Sequence, residues 1–123
     1  MKIRRDKLDI LFSKYIRLRA KGYCEKCGAF KGTNRLECSH FFGRGNKSVR
    51  WNESNACALC FTCHCYFTAN PLEHVQWFRA RLGEEKFAAL QQRLNNTHPK
   101  PDKAAIEFEL TLKLKELDGK QSR

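Results

Sequence analysis

Acidic residues are scarce in this chain. Thirteen Asp and Glu stand against 24 Lys and Arg, for a formal net charge of +11 and an isoelectric point near 9.6. That imbalance points to a polyanionic partner, with a basic surface that serves only solubility as the plain alternative. Long apolar runs are absent. No stretch reaches the roughly 18 apolar residues of a membrane-spanning helix, so no membrane is expected. The opening Met-Lys-Ile-Arg-Arg-Asp-Lys lacks the apolar core of a signal peptide. There is no internal repeat and no low-complexity tract, and the 123 residues read as one domain with a modest core. An even number of cysteines is missing too: there are seven. An odd count with four in metal-type spacing excludes a simple disulfide framework and points to a reducing, intracellular compartment.

What is present concentrates in residues 24–65. Two Cys-x-x-Cys pairs, Cys24/Cys27 and Cys60/Cys63, bracket this stretch. Each spans a tight knuckle that offers two thiolates, and two knuckles complete a tetrahedral four-thiolate Zn²⁺ site. A redox reading needs one pair at a helix start in a βαβ setting, and nothing around Cys24 has that pattern. Zn²⁺ would help stabilise a small core. Cys38 and Cys57 are expected to pack as small hydrophobes. Cys65 is left over beside His64, where a substitute zinc ligand is the weaker reading.

Around this frame the chain reads as helical. Residues 6–21 carry Leu8, Leu11, Phe12, Tyr15, Ile16 and Leu18 at helical spacing, with Gly22 as the cap. Lys7, Lys14, Arg17, Arg19 and Lys21 form the other face, either merely solvated or facing phosphates. Residues 36–42 are strand-like, 43–48 a turn-rich loop, and 60–67 a knuckle that runs into a helix. Asn70 is predicted to cap a helix over 72–82 that turns Leu72, Val75, Phe78 and Leu82 inward. Gly83 separates it from a helix over 84–94 with Phe87, Leu90 and Leu94 inward. Trp77 is assigned to the core and His74 to surface or packing. After a proline-bearing linker at 97–101, residues 102–117 are read as a last helix capped by Asp102 and ended by Gly119. The alternation of Leu110, Leu112 and Leu114 leaves a strand reading open there. The organisation is thus a basic N-terminal helix at 1–22, a zinc core at 23–69, a helical pair at 70–96 and a C-terminal helix at 102–118.

Inside the zinc frame lies a second pattern: His40, fourteen residues, Asn55, eight residues, His64. It resembles the HNH, or ββα-metal, nuclease finger, and a similar four-cysteine frame occurs in endonuclease VII-like resolvases. The resemblance implies an α+β, mainly helical fold, a small zinc-stabilised HNH finger flanked by N- and C-terminal helices. It also implies His40 as general base, Asn55 as its orienter and His64 as ligand of a catalytic Mg²⁺ or Mn²⁺. Many such fingers carry Asp or His just before the base. Here that place holds Ser39, a poor ligand for a hard cation, so the site would hold its metal weakly or borrow the substrate phosphate or Glu53.

The runs Phe12-Ser-Lys-Tyr-Ile-Arg-Leu-Arg19, Ser39-His-Phe-Phe-Gly-Arg44 and Arg50-Trp-Asn-Glu-x-Asn55, with the cysteine pairs, also resemble the phage NinG (Rap) recombination proteins across roughly residues 8–117. That resemblance implies a phage or prophage protein in the bacterial cytoplasm that cleaves branched DNA such as Holliday junctions. Symmetric cutting would suit a homodimer. Arg44, Lys47, Arg50, Arg17 and Lys21 are the expected DNA contacts, with Arg44 and Arg50 clamping phosphate. A non-catalytic zinc protein that binds DNA or junctions is the alternative, and a structural partner of another recombination protein the more distant one.

Overall fold

The computed structural model describes residues 6–121. Lys2, Arg4 and Arg5 of the basic N-terminal segment lie outside the described residues. The elements run α1 (Lys7–Arg19), β1 (Leu36–His40), β2 (Ala56–Cys60), α2 (Phe61–Ala69), α3 (Pro71–Leu82), α4 (Glu84–Asn95) and α5 (Lys103–Gln121). The result is a mainly helical α+β fold around one two-stranded ribbon.

The ribbon is antiparallel, with Leu36 opposite Cys60 and His40 opposite Ala56. Every residue of β2 is buried, and its alanines and cysteines are small enough for packing on both faces. Leu8, Phe12 and Ile16 of α1, Leu59 of β2, Phe67 of α2 and Leu110 of α5 close the main core around it. A second cluster, Val49, Phe78, Phe87 and Leu90, sits under the loop that follows β1. Trp77 packs against both clusters.

Several expected boundaries shift for physical reasons. Asp6 caps α1 by accepting from the Leu8 N–H at 2.8 Å. The helix stops at Arg19, before Gly22, because Lys21 turns left-handed at φ 58°. Gly22 is required for another reason: a Cβ there would come within 2.6 Å of the Phe30 ring. β1 ends at His40 rather than 42, and Phe41 leaves to stack on Phe78 at 4.1 Å.

Leu72 and Val75 face solvent, Leu72 at 79% exposure, contrary to the predicted inward face. The inward stripe is His74, Trp77, Phe78 and Leu82, the last two as expected. The His74 ring stacks on Phe67 at 4.5 Å, and that contact sets the rotation of α3. Asn70 stands at the N-cap of α3 as expected, but its side chain makes no capping bond and its amide donates to the Tyr66 carbonyl at 2.9 Å instead.

Over residues 103–121 the helix prevails over the strand reading. Leu110 and Leu114 are buried, one helical turn apart, while Leu112 is exposed. Asp102 accepts from the Ala105 N–H, as a cap does, but the helix runs through Gly119 to Gln121. Among the described residues, no helix is long and apolar enough to cross a membrane.

Candidate functional site

The two knuckles meet at one point. Sγ atoms of Cys24, Cys27, Cys60 and Cys63 all lie within 4.8 Å of one another, and Cys27 and Cys60 are 4.0 Å apart. Sulfurs around a tetrahedral zinc with bonds of about 2.3 Å are separated by about 3.8 Å, so the four thiols can close on Zn²⁺ with small adjustments. Gly28, at φ 77°, turns the first knuckle, and its N–H donates to the Cys24 carbonyl. Glu25 fixes this knuckle to the ribbon by accepting from the Ala58 N–H, while Arg81 of α3 pairs with the same carboxylate. Cys60 sits at the start of α2 and Cys63 in its first turn, where burial and the neighbouring cysteines push the Cys63 thiol up to about 12. Burial would push the Cys24 thiol up, but hydrogen bonds from the backbone of Cys27, Cys60 and Lys26 bring it down to about 6. Cys65 is exposed and outside the cluster. Cys38 and Cys57 pack against or within the core, and burial pushes both thiols up to about 12, leaving them inert.

The strand-to-loop corner holds His40, Arg50 and Asn55. Asn55 is fully buried and uses its whole amide on loop backbone. Its Oδ1 accepts from the Phe42 N–H at 2.8 Å, and its Nδ2 donates to the carbonyls of Phe42 and Val49 at 2.9 and 3.0 Å. Residues 42 and 49 are thereby clasped, and the loop between them is a closed unit. His40, half-buried against Phe12, has Nε2 2.9 Å from the Arg50 carbonyl. A carbonyl only accepts, so Nε2 carries the proton and Nδ1 keeps its lone pair. Burial lowers the imidazole below its ordinary value, with the Arg50 carbonyl pulling the other way and the Arg44 charge adding to the lowering. His40 is therefore neutral at pH 7 and able to take a proton.

Asp9 of α1 organises the cations at this corner. Arg50 donates to it through Nε at 3.0 Å and through a second guanidinium nitrogen, and the Trp51 indole donates to the same carboxylate at 3.0 Å. Arg44 stands 3.9 Å away and remains largely exposed. Burial would raise the Asp9 carboxyl, but Arg50, Trp51 and Arg44 together hold it below the ordinary value. Arg50 is thus engaged internally, and Arg44 and Lys47 are the freer cations of the loop. Arg17 donates to the Ser13 and Thr33 carbonyls. With exposed Lys21 it lies at the far end of α1 from Asp9.

His64 has a different neighbour. Its Nδ1 lies 2.7 Å from Oε1 of Glu37 on β1, and both side chains are partly exposed. Glu37 and His40 differ by an odd number of positions along one strand, so they point to opposite faces of the ribbon. His40 meets α1, whereas Glu37 meets α2. Ser39 is only 3% exposed and shares the face of Glu37. Glu53 is taken by Lys113 of α5 at 2.9 Å. Glu37 is the residue that sequence reasoning missed. Its signal was parity: two positions before Ser39, it reaches the same face that the following helix covers.

The profile of one protein family, described as Bacteriophage Lambda NinG protein, matches residues 2–120. No curated protein and no solved structure matches the chain.

Proposed function

The chain belongs to the phage lambda NinG family, and from that premise we propose that it is a metal-dependent DNA endonuclease of phage recombination, acting on branched DNA. The observation that carries this reading is the His40 corner. A neutral imidazole has one nitrogen fixed by the Arg50 carbonyl, its other nitrogen available, and the Asn55 clasp holding Val49, the residue just before Arg50.

Such a group suits a general base. Water gives its proton to Nδ1 of His40 as its oxygen attacks phosphorus, the opposite P–O bond breaks, and the leaving oxygen takes a proton from solvent. A divalent cation, when bound, would stabilise charge on the phosphate and the leaving oxygen. His64 and Glu37 offer one imidazole nitrogen and one carboxylate, donor types that fit Mg²⁺ or Mn²⁺ but too few to enclose one. Water and phosphate oxygens would complete the shell, as is usual for Mg²⁺. With Glu37 accepting from Nδ1–H, His64 would meet the cation through Nε2, its ring held in place by the acid. Arg44 would pair with the phosphate.

The burial of Ser39, together with the placement of His40 and Glu37 on opposite faces, favours one other reading: a zinc protein that binds branched DNA without cutting it. Cleavage of a synthetic four-way junction and of its matching linear duplex, with Mg²⁺ or Mn²⁺, separates the two. Junction cutting that His40→Ala abolishes is the expected result. Equal cutting of both DNAs would keep the chemistry and discard the junction preference. No cutting by folded, zinc-loaded protein would leave the binding reading.

A further inference from the structure

A cleft of about 530 Å³ opens between the loop at 45–51 and the segment at 97–103. Lys47, Arg50, Lys100 and Lys103 line it, no carboxylate does, and the Trp51 ring lies beneath. We propose that this cleft holds a stretch of DNA phosphodiester backbone and leads it to His40. The proposal rests on the nucleic-acid reading above and adds to it a path for the strand and two cations, Lys100 and Lys103, from outside the finger.

Three acids lie close, and each is already engaged: Asp102, between Pro101 and Lys103, accepts from the Ala105 N–H. Asp9 takes Arg50, Trp51 and the more distant Arg44, and Asp6 stands 3.7 Å from Lys103. Lys103 also lies over the Trp51 ring at 5.4 Å, so it is only partly available. Lys47 and Lys100 are exposed, and among the described residues neither has an acidic partner. Two uncompensated ammonium groups on facing walls are what a phosphate chain neutralises on binding.

The walls are built before any ligand arrives. Ser48 Oγ donates to the Leu94 carbonyl at 3.2 Å, which ties the loop to the end of α4. Arg93 donates to the carbonyls of Asn96 and Pro99, which fixes the opposite wall. Arg50 then connects cleft to chemistry, because it lines the cleft and its carbonyl holds His40.

The other basic hollow does not compete. It is lined by Arg19, Arg81, Lys86 and Glu53, but Arg19 is bound to the Glu53 and Ala56 carbonyls and Arg81 to Glu25.

The test is the salt dependence of binding to a labelled duplex and a labelled four-way junction, with zinc-loaded protein and no added Mg²⁺ or Mn²⁺. Lys47→Ala with Lys100→Ala should weaken binding to both DNAs by about tenfold or more, and should lower the slope of log affinity against log salt by about two. Lys31→Ala with Lys115→Ala removes the same charge from exposed residues that do not line this cleft and should leave the slope unchanged. An unchanged slope in the first variant, an equal loss in the second, or no DNA binding by the parent protein would each overturn the proposal. Binding needs no cleavage, so the two readings fail separately. Cutting that depends on His40, with an intact slope in the lysine variant, removes the cleft and keeps the nuclease. A lowered slope without cutting keeps the cleft and removes the nuclease.

Discussion

Asn55 is where one residue carries the most structure. Truncation to Ala leaves the Phe42 N–H and the Phe42 and Val49 carbonyls unpaired in a buried place. We expect a loss of about 2–4 kcal/mol, measured by denaturant unfolding. Asn55→Asp keeps an acceptor but loses both donors and buries a charge, so it should be no milder. His40 and His74 bear on pH. Burial lowers both below the ordinary imidazole value. The unfolded chain therefore binds protons first as pH falls, and stability should decline below about pH 6.5, the free value, toward the lower folded values. Unfolding midpoints with zinc saturating, followed from pH 7.5 downward, check the sign. Cleavage through His40 should likewise hold steady near neutrality and fall only on the acid side. His40 and Asn55 were legible as a spaced pair of residue types, but Glu37 was not. An acid in a strand looks like any solvated charge until the helix that covers its face is known.

At the scale of elements, periodicity located helices better than it oriented them. Residues 71–82 are helical as expected, yet the inward face is set by a histidine stacking on Phe67 rather than by Leu72 and Val75. Hydrophobicity alone does not register aromatic stacking, so Phe78 and Leu82 are inward as expected while Leu72 and Val75 give way to His74 and Trp77. The last helix shows the converse. Leucines at 110, 112 and 114 suit a strand in isolation, but Ile106, Leu110 and Leu114 fall on one side of a helix that packs on α1. Leu110→Ala should therefore cost about 2–4 kcal/mol, read as a lower midpoint in denaturant, whereas exposed Leu112→Ala should move it little.

At the scale of the whole molecule, the ribbon is too small to hold the fold alone. The zinc frame was legible because two Cys-x-x-Cys pairs have few other uses, and the sulfurs do converge. Structural zinc contributes on the order of 10 kcal/mol in small domains, comparable to the entire stability of a chain this size. Chelation should therefore abolish the cooperative unfolding transition seen by circular dichroism, and added Zn²⁺ should restore it.

The pairing of α1 with α5 has a consequence in time. α1 is synthesised before the whole knuckle-and-loop region, and α5, which packs on it, only after that region. At bacterial translation speeds that interval is on the order of seconds. Throughout it, Leu8, Phe12 and Ile16 wait on a nascent chain without their final cover. The emergence of α5 is what ends that wait, so the cover of α1 is set by a helix made about eighty residues later.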